Sequence, residues 1–387
     1  MAQEPITVDN WGFPPNNRWS FQHVQSLFPT VRIRRGAGPV CAFEEDLRNL
    51  DEVTYLGADG SERTVATMLE QSYSDAFLVV KDSVIITEQY FNGMRADSHH
   101  LINSVTKSFI GMLVGILADQ GILDIDDPVV RHVPELKGTA FDKTTVRTAL
   151  DMSAAVAFGE DYADPEADFW VETSVVGWRP ALVRPGAPKT LLEHARSLAD
   201  TDQEEDEKYH YRTVLTNVLG MVLERAAHTA LPELMETELF SKLGPEQDAC
   251  IVADRSGFPY VGAGMNACAR DLARFGAMVV AQGRFNGQQI VPASWIDDTR
   301  RGNAHVKRMF AESEHVEALP GGHYRNQFWV SDSDRGILLA IGIHGQTIHM
   351  NMSTNTVIVK FSSQPESVDR EMFQDTFAAM DALSEMI

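Results

Sequence analysis

The sequence predicts an α+β fold: an antiparallel sheet flanked by helices, with a mostly helical domain inserted between two β-rich parts of the chain. Three observations carry this. An apolar, β-branched hairpin pattern lies over Asp75–Phe91, helical patterns and loops fill residues 122–250, and β-rich runs return at Gly336 ahead of a closing helix. Residues 1–125 with 255–387 are therefore expected to form the sheet domain, and 126–254 the mostly helical one.

Residues 1–50 carry prolines, glycines and a small basic cluster (Arg32, Arg34, Arg35), and read as an irregular arm wrapped on the body. In Asp75–Phe91 two apolar runs flank Lys81-Asp82-Ser83, the signature of a turn between paired strands. Next comes Asn103-Ser104-Val105-Thr106-Lys107-Ser108, followed by FIGMLVGILADQG. Phe109, Met112, Leu113, Ile116 and Leu117 recur at helical spacing, with Asn103 placed to cap the start and Gly121 to close the end. A helix apolar on nearly every side belongs in the middle of the protein. Thr145–Met152 and Val214–Ala227 are the clearest helices of the insertion, and the acidic run Asp202–Lys208 reads as a solvated surface loop. Cys268–Gln282 is an amphipathic helix, Gly336–Met350 and Thr356–Ser362 are β-rich runs joined by the turn MSTN, and Asp369–Ile387 is a helix.

Composition narrows the function classes. A net charge of −22 repels phosphate backbones and anionic membranes, which argues against a nucleic-acid or membrane partner. Cys41, Cys250 and Cys268 form no CxxC pair, so buried thiols in a reducing compartment are expected. The first residues lack the charged and apolar regions of a secretory signal, and the apolar stretch Phe109–Ala118 is too short to span a bilayer. A cytoplasmic protein acting on a small molecule is the resulting expectation, with a homodimer left open.

The chemistry centres on Ser104 and Lys107. Their i, i+3 spacing puts both side chains on one helix face, one turn apart. A serine hydroxyl needs a base to take its proton, and lysine can be that base only when neutral. Burial and the positive end of the helix both lower a lysine pKa. The pattern is short, and its placement ahead of the most apolar helix is what gives it weight.

Ser104-Val105-Thr106-Lys107 with the following SFIGMLVGILADQGILDIDDPVVRHVPEL resembles the active-site helix of class C β-lactamases and related esterases. Tyr211-Arg212-Thr213, ahead of VLTNVLGMVLERA, is similar to that superfamily's Tyr-x-Asn motif, and Gly262-Ala263-Gly264 to its Gly-rich turn. The closest resemblance is to the aminohexanoate-dimer hydrolases. It extends over nearly the whole chain, through PPNNRW at 14–19, YSDAFLV at 73–79, EDYADP at 160–165, Gly177-Trp178-Arg179, GIHGQ at 342–346 and VIVKFSS at 357–363. The resemblance implies a β-lactamase/transpeptidase-like fold and a cofactor-free serine hydrolase acting on small esters or linear amides through an acyl-Ser104 intermediate. Lys107 and Tyr211 would move protons, and the backbone N–H groups of Ser104 and Ile343, the latter on an inward-facing strand, would hold the oxyanion. Lys107 would favour a tyrosinate at Tyr211 by its charge. Tyr162, Thr173, Trp178, Gly262 and Trp329 would line the substrate cleft, with His344 beside it.

Several positions depart from these patterns. Ala340-Ile341-Gly342 stands where β-lactamases carry Lys-Thr-Gly, so the groups that grip a penicillin carboxylate are missing. Thr213 replaces the asparagine, and Arg212 adds a charge of unknown direction. Thr173 and Gly262 align with the acidic residue and asparagine that hold the substrate in efficient nylon-dimer enzymes, which argues against that dimer as the best substrate. Acyl transfer to an amine or alcohol shares the same chemistry up to deacylation, and a non-catalytic binding protein is the reading from another class. Gly262–Ala267 fits GxGxxA without a strand leading into it, no G-x-S-x-G elbow or HExxH occurs, and His99-His100 lacks metal-ligand spacing.

Overall fold

The hairpin over Asp75–Phe91 lies near one side of an eight-stranded sheet. In a computed structural model describing residues 5–182 and 185–387, strands Ser74–Lys81 and Val84–Tyr90 pair antiparallel around a turn in which Asp82 and Ser83 both take positive φ. Such a two-residue turn matches the right-handed twist of its strands. The sheet order runs His323–Arg325, Phe328–Asp332, Ile337–Gly342, Gln346–Asn351, Thr356–Ser362, Ser74–Lys81, Val84–Tyr90 and Glu44–Glu45. Every neighbouring pair is antiparallel except the last, Glu44–Glu45 on Val84–Ile85.

Alternation along the strands splits the core in two. Phe77 and Val79 pack with Val65, Met68, Leu69, Ala379, Met380 and Leu383, from the helices Val65–Gln71 and Arg370–Met386. Leu78 and Val80 point the other way, into the main core with the helices Val105–Asp119 and Ala269–Val280. Every residue from Val105 to Leu117 is buried, as its all-round apolarity predicts. Phe109 stacks on Phe275 at 4.0 Å between ring centroids. Gly121, at φ +69, follows the helix end in the left-handed conformation that favours glycine.

Between Tyr90 and His323 the chain adds nothing to the large sheet. It supplies helices Val146–Leu150, Asp168–Val175, Leu191–Ser197 and Thr213–Ala227, and three strands of a smaller sheet. That sheet orders Thr30–Ile33, Ala249–Val252, Met265–Ala267 and His100–Leu101. The N-terminal arm is more ordered than its composition suggests, although its first four residues lie outside the described ones. Trp11, Phe21, Val24, Phe28 and Ile33 are buried in the main core. Trp11 Nε1 donates to the Trp178 carbonyl (2.9 Å), and Asn17 Nδ2 donates to the carbonyls of Ser363 (3.2 Å) and Gln364 (3.0 Å).

Two local expectations are corrected. Asn103 does not cap the helix; it sits at φ +47, and its amide donates to the Ile343 carbonyl instead (3.0 Å). The run Gly336–Met350 is two strands broken at Ile343-His344-Gly345, where His344 turns left-handed at φ +61. The acidic run is the largely exposed loop expected, and it is tethered: Asp202 grips Arg212, Glu205 accepts from the Ala155 N–H (2.9 Å) and the Thr148 hydroxyl, and Asp206 accepts from Ser153 (2.7 Å). The three cysteines are free, Cys250 and Cys268 buried and Cys41 partly so. No helix among the described residues is long and apolar enough to cross a membrane.

Phe109→Ala removes a fully buried ring from the centre of the main core. It is expected to cost roughly 3–5 kcal/mol of stability, read from urea unfolding.

Candidate active site

The Ser104 helix enters the core from a constrained corner. Leu101 N–H donates to the Phe21 carbonyl (2.8 Å) and Ile102 N–H to the Met265 carbonyl (2.9 Å). The chain then turns through left-handed Asn103, and the Thr106 hydroxyl folds back onto the Asn103 carbonyl (2.6 Å). Ser104, only 8 % exposed, begins the helix. Across from it the strand Ile337–Gly342 ends in close contact: a Cβ on Gly342 would meet the Ile102 carbonyl oxygen at 2.6 Å and the Ser104 nitrogen at 3.0 Å. Only a residue without a side chain lets this strand end lie against the serine. Ile343 therefore stands at a turn beside Ser104 and not within a strand as expected, with its carbonyl tied to Asn103.

Lys107 is fully buried and its Nζ has three neighbours: Ser104 Oγ at 2.8 Å, Thr213 Oγ1 at 3.0 Å and the Gly262 carbonyl oxygen at 2.6 Å. Burial pushes its pKa down, to about 8, while Glu160 and then Glu172 pull it up. A hydroxyl held against such an amine can pass its proton to it without either group moving. Gly262 grips the lysine instead of merely lining a cleft, and its own N–H donates to Asn217 Oδ1 (2.9 Å).

Tyr211 precedes the helix Thr213–Ala227 and lies over the same lysine, with Nζ 4.9 Å from its ring centroid. Trp329 stacks on Tyr211 at 5.4 Å and 25°, and Tyr324 meets it edge-on at 5.9 Å. Burial, and then Glu160, push the Tyr211 pKa well above 10, and a hydrogen bond with Ser104 only partly opposes this. Desolvation in this aromatic box and the Glu160 charge thus favour the protonated phenol over the expected tyrosinate. Arg212 turns away. Its guanidinium donates to the Ala154 carbonyl and to both oxygens of Asp202 (2.7 Å each), so the acidic run is its counterion.

Glu160 is the residue that sequence reasoning missed. Its Oε1 accepts from the Thr213 hydroxyl (2.6 Å) and the Tyr162 phenol (2.8 Å), and its Oε2 accepts from the Thr213 N–H (2.6 Å). Burial raises its pKa, and Lys107 and then these donors oppose the rise only in part. The available signal was its place in EDYADP at 160–165, two residues before the noticed Tyr162. A continuous chain of contacts thus runs Tyr162–Glu160–Thr213–Lys107–Ser104.

The remaining candidates lie farther back. Trp178 is buried against Tyr260 (5.3 Å) and Trp11 (5.2 Å), behind the Gly262 turn. Thr173 spends its hydroxyl on the Trp170 carbonyl of its own helix (3.1 Å). His344 is buried against Phe21, with Nδ1 2.8 Å from the Gln364 carbonyl and its pKa pushed down to about 4 by burial. Neither Thr173 nor His344 joins the groups around Ser104; helix back-bonding accounts for the first, and the left-handed turn for the second.

With this geometry in view, comparisons with known proteins place the chain. The Beta-lactamase family profile matches residues 62–380. The chain belongs to the beta-lactamase family. Among characterised family relatives, the 6-aminohexanoate-dimer hydrolase of Paenarthrobacter ureafaciens is 34% identical over 365 residues, covering 94% of this chain and 90% of that protein. A provisionally named 6-aminohexanoate-dimer hydrolase from Bacillus anthracis superposes with a TM-score of 0.90 at 25% identity, covering 99% of each chain. EstCE1, a hydrolase with promiscuous acyltransferase activity, shares the fold at a TM-score of 0.60 and 16% identity, over 81% of this chain and 97% of its own. As a beta-lactamase family member, the chain has the α+β architecture that its sequence predicts.

Gly342→Ala would push the strand end off Ser104. The rate at which a fluorophosphonate labels Ser104 is expected to fall about 10²-fold with far-UV circular dichroism unchanged. Labelling at the parental rate would show that this contact does not constrain the serine.

Proposed function

We propose that the protein is a serine hydrolase that cleaves small esters or linear amides through an acyl-Ser104 intermediate. The observation that carries the reading is the buried Lys107 amine, 2.8 Å from Ser104 Oγ and with a pKa lowered by burial to about 8. In its neutral form Lys107 takes the proton of Ser104 as Oγ attacks the carbonyl. The negative charge on the carbonyl oxygen is met by the backbone N–H groups of Ser104 and Ile343, which are oriented before the reaction starts. Tyr211, a phenol with its proton in place, donates to the leaving amine or alcohol, and the proton held by Lys107 replaces it. A water molecule then attacks the acyl carbonyl, its proton passes into the same Tyr211–Lys107 pair, and Ser104 Oγ leaves with a proton as the free acid departs.

The half-buried Trp329 ring stacked on Tyr211 suits an amphipathic substrate. Thr173 carries no charge and its hydroxyl is already bonded within its helix, so the 6-aminohexanoate dimer named in the relative is not the substrate we favour. The protein is proposed to work in the cytoplasm without a cofactor.

Ser104→Ala is expected to abolish the product burst with a p-nitrophenyl ester and to lower turnover by more than about 10³-fold. Full activity in that variant would end the reading. Because Lys107 acts as a base only after losing its proton, kcat/KM should rise with pH through an acid limb near 8, where burial places its pKa. A profile flat across that range would remove Lys107 from this role.

A further inference from the structure

Thr213 stands between two groups that make opposite demands on its single hydrogen. A carboxylate can only accept, so the Thr213 hydroxyl at 2.6 Å must donate to Glu160 Oε1. Its oxygen is then available only as an acceptor toward Lys107 Nζ, 3.0 Å away. The Gly262 carbonyl, at 2.6 Å, also can only accept. Two N–H bonds of Lys107 are thereby assigned before its protonation state is considered. The third direction faces Ser104 Oγ at 2.8 Å. In the ammonium form a third N–H points there; in the neutral amine the lone pair does. Loss of the proton therefore aims the lone pair at the serine without any side-chain movement.

We propose that Glu160 is a positioning residue: it locks the Thr213 hydroxyl as an acceptor toward Lys107, and so fixes the amine's lone pair on Ser104. The inference rests on the Ser104–Lys107 reading above and adds a residue that never touches the reacting atoms. Glu160 is itself held rigid by the Thr213 N–H (2.6 Å) and the Tyr162 phenol (2.8 Å), so its oxygens cannot rotate away from the threonine. Thr213 thus has a use of its own at the position where the superfamily resemblance expects asparagine.

The ionisable groups facing this wire come from each element packed on it. Tyr162 lies on the loop of Glu160; Tyr209, Tyr211 and Arg212 precede the helix Thr213–Ala227; Tyr260 lies on the Gly262 turn; Tyr324 comes from the strand His323–Arg325; Glu172 comes from the helix Asp168–Val175. The tyrosines are all raised well above their usual value by burial and stay neutral, and Arg212 is neutralised by Asp202. Glu160 and Glu172 are the carboxylates that hold the proton on Lys107, with Glu160 the stronger.

The test measures fluorophosphonate labelling of Ser104 and p-nitrophenyl ester turnover against pH in the full chain. In Glu160→Gln the acid limb should move about one unit lower, because the anion that favours protonated Lys107 is gone. kcat should fall about tenfold with KM within about twofold, because the amide can present a donor as readily as an acceptor to Thr213. Thr213→Val should shift the limb the same way and lower kcat, whereas Thr213→Ser should restore both. The double variant should be no slower than Thr213→Val alone, as expected for two residues acting in one chain. An unmoved limb in Glu160→Gln with labelling intact would overturn the inference and leave Ser104 and Lys107 in place. Equal kinetics for Thr213→Val and Thr213→Ser would overturn it as well, and this pair serves if Glu160→Gln does not fold. Failure of the parental protein to label at Ser104 would instead bring down the reading beneath it.

Discussion

Withdrawing the Lys107 amine from water is the constraint on which the site is built. A buried ammonium is tolerated only when its N–H groups find acceptors, and an isolated one costs several kcal/mol even after the protein relaxes. The chain meets this with a hydroxyl from its own helix, a hydroxyl at the start of the helix Thr213–Ala227 and a backbone carbonyl from the Gly262 turn. Three separate segments must therefore arrive at one nitrogen. Much of the surrounding architecture secures that arrival: Asn217 fixes the Gly262 N–H, Glu160 fixes Thr213, and the Asp202–Arg212 pair fixes the backbone between Tyr211 and Thr213.

What could be read from the sequence follows from local rules. The spacing of Ser104 and Lys107 puts them on one helix face, and an apolar run of that length must be buried. The two-residue turn at Asp82-Ser83 and the helix end at Gly121 reflect φ values that few residues adopt. The two apolar, β-branched runs on either side of Lys81-Asp82-Ser83 pair as neighbouring strands. Each depends on contacts a few residues apart, and each is visible in a short window of sequence.

The features that escaped the sequence depend on partners well outside a local window, or on a competition that tertiary structure decides. Asn103 has the side chain of a helix cap, but the Ile343 carbonyl takes its amide and the backbone is left-handed. The acidic run has the composition of a solvated loop, yet its carboxylates close on Arg212, Ala155, Thr148 and Ser153. The break at His344 looks like uninterrupted strand because Ile343 and His344 are compatible with one. Glu160 is one acid among 55 acidic residues, and its importance comes from its neighbours and not from its type. Even the Tyr211 phenol, next to a cation, keeps its proton because burial prevails.

The arm's two tethers bear on how the molecule is made. Trp11 is bonded to the carbonyl of Trp178, and Asn17 to that of Ser363, 346 residues along the chain. Seating of the arm must therefore wait for a segment 346 residues farther along the chain. Large-sheet pairing between Thr356–Ser362 and Ser74–Lys81 imposes the same delay. Closing loops of that length carries an entropy cost that must be met before the contacts form, and folds rich in such contacts form slowly. Burial of the arm thus couples segments that lie far apart in the sequence.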